Sequence, residues 1–437
     1  MSSFFVKRAG SWAVLMAFCL AGSRLPAQPK GFNYDESKVG TYTLPDPLTA
    51  LDGSKVSSAR QWTSKRRAEI LGIFEREMFG QSPKRPAPMR FVVKSTDQNA
   101  LGGKAERKEV TIYFTGETTG PKMDLLIYLP RDRKGAVPAF LGLNFKGNHA
   151  VNADAGITLP EQWTRDGKSK ELVLKRVEES TRGSEASRWQ AEKIVGRGYA
   201  LATACYFDIE PDFPDAYEKG VRAIFHGRGK AATASEAPAD DWGAIAAWAW
   251  GLSCALDYLE TDRDIDAKKV AVMGHSRLGK TSLWAGVSDP RFAIVISNDS
   301  GEGGAALSRR WFGETVERIN TSFPHWFNAN YKKYNTNVTS LPMDQHMLLA
   351  LVAPRPLYVA SASEDQWADP RGEFLAAKGA EAVYALFGKK GLGVDEMPAI
   401  DHPVGDTIGY HIRTGKHDVT EYDWEQYLKF ADRHFGK

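Results

Sequence analysis

The chemistry of this chain is concentrated around one serine. An apolar stretch, Val270-Ala-Val-Met273, runs into Gly274-His275-Ser276, followed by a glycine at 279 and an apolar helical pattern through Leu283 and Trp284. A serine on a tight strand-to-helix turn stands clear of its sheet, where its hydroxyl can attack an acyl carbon. The N–H groups that open the following helix lack carbonyl partners and suit a developing oxyanion. The pattern departs from G-x-S-x-G, because Leu278 takes the second-glycine place and Gly279 comes one later. A serine here could instead only cap a helix; the strand before it and the helix after it favour the nucleophile.

An acylating serine needs a histidine to take its proton and a carboxylate to hold that histidine. With the nucleophile on such a turn the chain order is serine, acid, histidine. His417, in the glycine-containing stretch Arg413-Thr-Gly-Lys-His-Asp418, lies between the last strand pattern and the final helix, with His411 as its rival. Two acids qualify. Asp365 follows the apolar run Leu357–Ala360, and Asp299 follows the run after the nucleophile helix. Asp365 is favoured, with Asp299 as a second contributor; Glu364 and Asp369 are weaker alternatives, and any of these could serve a turn or a cap.

Those residues must be positioned by alternating elements. Runs at 91–94, 109–114, 125–129 and 139–143 read as strands separated by Gly/Pro/Asp clusters. From residue 199 the pattern becomes strand and helix in turn: strands at 199–206, 270–273, 293–296 and 357–360, helices over 241–259, from Arg277 and from Glu421. This predicts an α/β protein, a three-layer αβα sandwich around a mostly parallel sheet. Residues 59–80 have helical spacing ending at a glycine. Residues 147–190 read as a polar loop insertion with a charged helical patch near 171–179, lying over the sheet where binding loops occur. The expectation is one catalytic domain over 28–437.

The first 27 residues carry Lys7 and Arg8, an apolar run over 12–21 and the small-residue stretch ending at Ala27. This predicts a signal peptide, export to the periplasm or beyond, and no membrane span after cleavage. A lipoprotein reading through Cys19 is disfavoured by Phe18. The segment holds Lys7, Arg8 and Arg24 and no acid, so the formal charge of the mature chain is +3 − 3 = 0, which argues against a nucleic-acid surface. Cys205 and Cys254 would be left either paired or as buried thiols. No Cys/His spacing suggests a metal, and none is expected.

The motif Gly274-His275-Ser276-Arg277-Leu278-Gly279-Lys280 resembles the G-x-S-R-x-G-K motif of the glucuronoyl esterases, carbohydrate esterase family 15. The resemblance continues at Asn298–Gly304, Leu349–Pro356 and Trp367. His275 stands where fungal members have a disulfide-bonded cysteine, so the chain is similar to the bacterial branch. The resemblance implies an α/β-hydrolase fold without a cofactor, expected as a monomer and acting on esters of the carboxyl group of (4-O-methyl-)glucuronate in glucuronoxylan, lignin–carbohydrate links included. It implies that Arg277 points at the oxyanion and that Lys280, Glu314 and Trp367 bind the uronate. The competing expectations are an acetyl-xylan or other polysaccharide deacylase, and a silent carbohydrate-binding protein on a hydrolase scaffold.

Overall fold

Among the described residues ten strands pair into one sheet, whose middle carries the candidate site residues. The computed structural model describes residues 29–85, 88–225 and 237–437; the expected leader lies outside them. Four strands lead in: β1 (Arg90–Asn99), β2 (Ala105–Tyr113), β3 (Lys122–Pro130) and β4 (Val137–Asn144). After the two short strands β5 (Glu161–Arg165) and β6 (Leu172–Arg176) come β7 (Ala200–Cys205), β8 (Ile265–His275), β9 (Ile294–Asn298) and β10 (Leu357–Ala362). β11 (Val404–Gly405) and β12 (Ile408–Arg413) close the sheet. Its order is β1-β2-β3-β7-β4-β8-β9-β10-β12-β11.

Pairing is antiparallel from β1 through β7 and parallel from β7 through β12. β4, β7, β9 and β10 are buried almost throughout, and β8 is buried from Val270 to His275, as a sheet covered on both faces requires. Two apolar clusters lie against the sheet, one of them centred on Trp248, Trp284 and Leu349 and the other on Phe140, Trp424 and Tyr427. The covering helices include α1 (Ala244–Leu259), α2 (Arg277–Ser288), α3 (Pro370–Leu386) and α4 (Glu421–Phe435). α4 starts from a capping box between Thr420 and Asp423 and ends at Gly436 in the left-handed region. Residues 32–437 form one compact unit.

Two expectations need correction or completion. The 171–179 stretch is not helical: Leu172–Arg176 is strand β6, paired with β5 in a separate two-stranded hairpin, with only a short 3-10 turn at Glu179–Thr181. The stretch opens with three consecutive apolar residues, Leu172-Val-Leu174, and pairing with β5 makes it a strand. Cys205 and Cys254 are both buried and free.

Candidate active site

The serine turn is built by close packing. Ser276 has φ 59° and ψ −128°, between β8 and α2, a conformation costing about 1–3 kcal/mol for a non-glycine residue. Its N–H is held by the Asn298 carbonyl at 2.9 Å, and its own carbonyl accepts from Gly279 N at 2.9 Å. A Cβ at Gly274 would overlap the Leu278 carbonyl. One at Gly279 would come within 2.9 Å of Ser300 Cβ and 3.1 Å of Asn298 O. That second approach explains the displaced glycine: position 279 faces the end of β9, while Leu278 is buried in the core.

His417 Nδ1 lies 2.6 Å from Asp365 Oδ2. Asp365 is buried beyond the end of β10, whereas the His417 ring is 41% exposed. With Nδ1 occupied by the carboxylate, Nε2 is left for a proton from outside. The His275 ring, next in chain to Ser276, lies 4.4 Å from the His417 ring, which brings His417 beside the turn. Burial, and next the His417 charge, hold His275 well below its ordinary pKa, so it stays neutral. Its Nδ1 is engaged by Asn298 Oδ1 at 2.6 Å.

Asp299 sits behind this pair. One ligand atom each from Asp299, Asp365 and His417 lie within 4.8 Å of one another. Asp299 is fully enclosed, with φ 44°. Its Oδ2 is 3.4 Å from Asp418 N and 3.5 Å from an Arg413 guanidinium nitrogen. Among the described residues Oδ1 has no hydrogen-bond partner. Burial and the neighbouring Asp365 raise its pKa against the pull of Arg413, which favours the protonated acid.

The other candidates have structural partners. His411 is buried between Asp423 at 2.9 Å and the Tyr358 hydroxyl at 3.0 Å. Asp369 caps α3 and binds Arg310 at 2.7 Å. Glu364 is exposed and is held through its backbone N–H by Gly415.

The Arg277 side chain, next in the chain after Ser276, is anchored on its own partners. Its guanidinium donates to Asp212 and lies over the Trp326 ring at 4.7 Å and the Phe323 ring at 5.5 Å. Asp212 also binds His325 Nε2 and Trp326 Nε1, each at 2.7 Å, and the Tyr206 hydroxyl at 3.0 Å. Burial opposes its ionisation, but the His325 hydrogen bond and the Arg277 charge hold its pKa down to about 2. Nothing in the serine motif announces Asp212. Its only local signal is an acid between Pro211 and Pro214 just after β7.

Lys280, Glu314 and Trp367 converge on the same side. Lys280 Nζ donates to the Ser300 carbonyl and lies 5.9 Å above the Trp326 ring. Burial lowers its pKa, while Glu314 and Glu302 oppose that shift. Burial raises the pKa of Glu314, and Lys280 opposes it. The Glu314 N–H donates to the Trp367 carbonyl at 3.0 Å. A further contribution comes from the amino-terminal arm: Phe32 packs edge-on against Trp367 at 4.8 Å. Tyr34 meets the Phe312 ring edge-on at 6.2 Å, and its hydroxyl is pushed up to about 12 by burial and by the charges of Asp365 and Glu314. Sequence reading missed both aromatics, because the arm has no periodicity to read.

Residues 237–388 match the family described as "Glucuronyl esterase, fungi". The chain is 55% identical over 408 residues to "Carbohydrate esterase MZ0003" of an unknown prokaryotic organism, covering 93% of each chain. It is 28% identical to 4-O-methyl-glucuronoyl methylesterase 1 of Wolfiporia cocos, over 86% of this chain and 78% of that one. A solved glucuronoyl esterase from Solibacter usitatus superposes with a TM-score of 0.87 at 55% identity, covering 92% of this chain and all of that one. With the serine turn, the buried acids and the α/β architecture in place, the chain belongs to the glucuronoyl esterases, carbohydrate esterase family 15.

Proposed function

We propose that this protein hydrolyses esters of the glucuronate carboxyl group in glucuronoxylan, those to lignin alcohols included, and that it does so after export from the cell. The observation that carries the reading is the His417–Asp365 pair at 2.6 Å beside the strained Ser276 turn. Ser276 Oγ attacks the uronate carbonyl while His417 Nε2 takes its proton. Asp365 holds the ring in the tautomer that leaves Nε2 free and stabilises the imidazolium. The tetrahedral oxyanion is met by the first N–H groups of α2 and by the positive field of Arg277. His417 then returns the proton to the departing alcohol. Water attacks the acyl-serine, with His417 again as base, and releases the free uronate.

Lys280, Glu314 and Trp367 form the acid-side pocket: a charged donor, a carboxylate for paired hydroxyls and an indole for the sugar face. Asp299 acts behind Asp365 as a mostly protonated neighbour. No described helix is long and apolar enough to cross a membrane, which is compatible with export.

The test compares the purified protein with Ser276→Ala on benzyl and methyl glucuronate and on acetylated xylan. Glucuronate-ester cleavage that disappears in the variant supports the reading. Acetate release without uronate-ester cleavage replaces it with a polysaccharide deacylase, and silence on every ester replaces it with a binding role.

A further inference from the structure

The amino-terminal arm, Phe32–Glu36, meets both stretches of chain that carry Glu314 and Trp367. The Phe32 ring packs edge-on against the Trp367 indole at 4.8 Å and lies beneath the Arg318 guanidinium at 6.0 Å. The Asn33 carbonyl accepts from Gly313 N at 2.8 Å. Tyr34 meets Phe312 edge-on at 6.2 Å. The Glu36 carboxylate binds Arg310, which also holds Asp369, the cap of α3.

We propose that this arm is a positioning element of the acid-side pocket, and that Phe32 fixes the orientation in which the Trp367 indole meets the sugar. The sugar in that statement rests on the ester reading above; the contacts do not.

Trp367 sits on a single 3-10 turn, Gln366–Ala368, followed by Asp369 at φ 51°. One such turn has too few internal hydrogen bonds to hold a large, half-buried side chain. Its restraint comes from outside. The Glu314 N–H donates to the Trp367 carbonyl at 3.0 Å, which ties down the backbone and leaves the ring to Phe32. Gly313, at φ 64°, lets the two stretches touch, because a Cβ there would overlap the carbonyls of Gln366 and Trp367. An edge-on contact sets the angle between two rings, since the positive rim of one meets the negative face of the other. It covers only part of the indole, and Trp367 stays partly exposed.

Charge links the arm to the same pocket. Arg318, over the Phe32 ring, pulls the Glu314 carboxyl down against the burial that raises it. The charges of Asp365 and Glu314 in turn reach the Tyr34 hydroxyl. Loss of the Phe32 ring therefore releases the indole and removes the platform beneath a cation that acts on the pocket carboxylate.

The test compares the full chain with Phe32→Ala and Phe32→Tyr on methyl glucuronate and on p-nitrophenyl acetate, an ester with no sugar to place. In Phe32→Ala, KM for methyl glucuronate should rise about three- to tenfold with kcat nearly unchanged, the range an edge-on aromatic contact supports. Phe32→Tyr should restore it, and rates on p-nitrophenyl acetate should stay near wild type in both. An equal loss on both esters would make Phe32 a support of the fold and overturn the proposal, as would an unchanged KM in the folded Ala variant. A second readout needs no ester. The Trp367 indole N–H resonance, identified by its loss in Trp367→Phe, should shift and broaden in Phe32→Ala and return in Phe32→Tyr. An unchanged resonance overturns the proposal, whereas missing glucuronate-ester hydrolysis by the wild type would count against the ester reading alone.

Discussion

His275 and His417 lie with ring centres 4.4 Å apart and planes tilted by 43°, one buried beside the nucleophile and the other half open to solvent. Two imidazoliums at this separation would repel strongly. Burial resolves the conflict by keeping His275 neutral, so in the proposed mechanism the proton from Ser276 goes to the ring that Asp365 supports. The acid limb of kcat/KM against pH should therefore rise with a slope of one. A slope of two, read from steady-state rates on methyl glucuronate, would show that both rings titrate.

Asp365 and Asp299 should separate clearly on substitution. Asp365→Asn leaves His417 without its orienting carboxylate, and kcat should fall on the order of 10³–10⁴ with little change in KM. Asp299 already favours its proton, so Asp299→Asn mimics its neutral form and should cost about tenfold or less. Equal losses would mean that the two acids act as one unit. Steady-state kinetics on both variants decides.

Asp212 collects the Arg277 guanidinium, His325, Trp326 and Tyr206. Asp212→Asn should leave the Arg277 charge without its counter-ion. The expected loss of stability is about 2 kcal/mol, below the ~3–5 kcal/mol of a fully buried pair, because the Arg277 side chain is 29% exposed. Arg277→Ala should lower kcat on the order of 10²–10³. Urea unfolding of the first variant and rate measurements on the second check these values.

Two enclosed carboxyls make stability depend on pH. Burial raises Glu373 to about 7, against hydrogen bonds from Ser361 and from the Ser300 and Gly301 amides. It raises Glu302 to about 8, against those from Tyr331 and Ser308. Both bind a proton more tightly folded than unfolded. Their stabilising contribution is complete below the ordinary value of 4.5 and is lost as pH rises through about 7 and about 8. Melting temperature should fall across that window, and the fall should be smaller in Glu302→Gln. An unchanged pH slope in that variant would rule out Glu302 as a source.

The amino-acid sequence by itself determined most of the elements and singled out the residues proposed to react. Apolar runs of strand length alternating with helical patterns require a mostly parallel sheet, and Gly274-His275-Ser276 between a strand and a helix is a local feature, complete within a few residues. His417 was singled out as the glycine-loop histidine before the last helix, and the structure pairs it with Asp365. The tertiary structure decided what depends on partners far along the chain. Arg277 meets Asp212 across 65 positions and Asp365 meets His417 across 52. Tyr34 and Phe32 arrive from an arm without periodicity, and β6 becomes a strand because β5 is there to pair with it. Local periodicity fixes backbone geometry through contacts within one or two turns or one strand. Which charges neutralise each other, and which acid keeps its proton, depends on burial, and burial exists only once the sheet and its helices have packed.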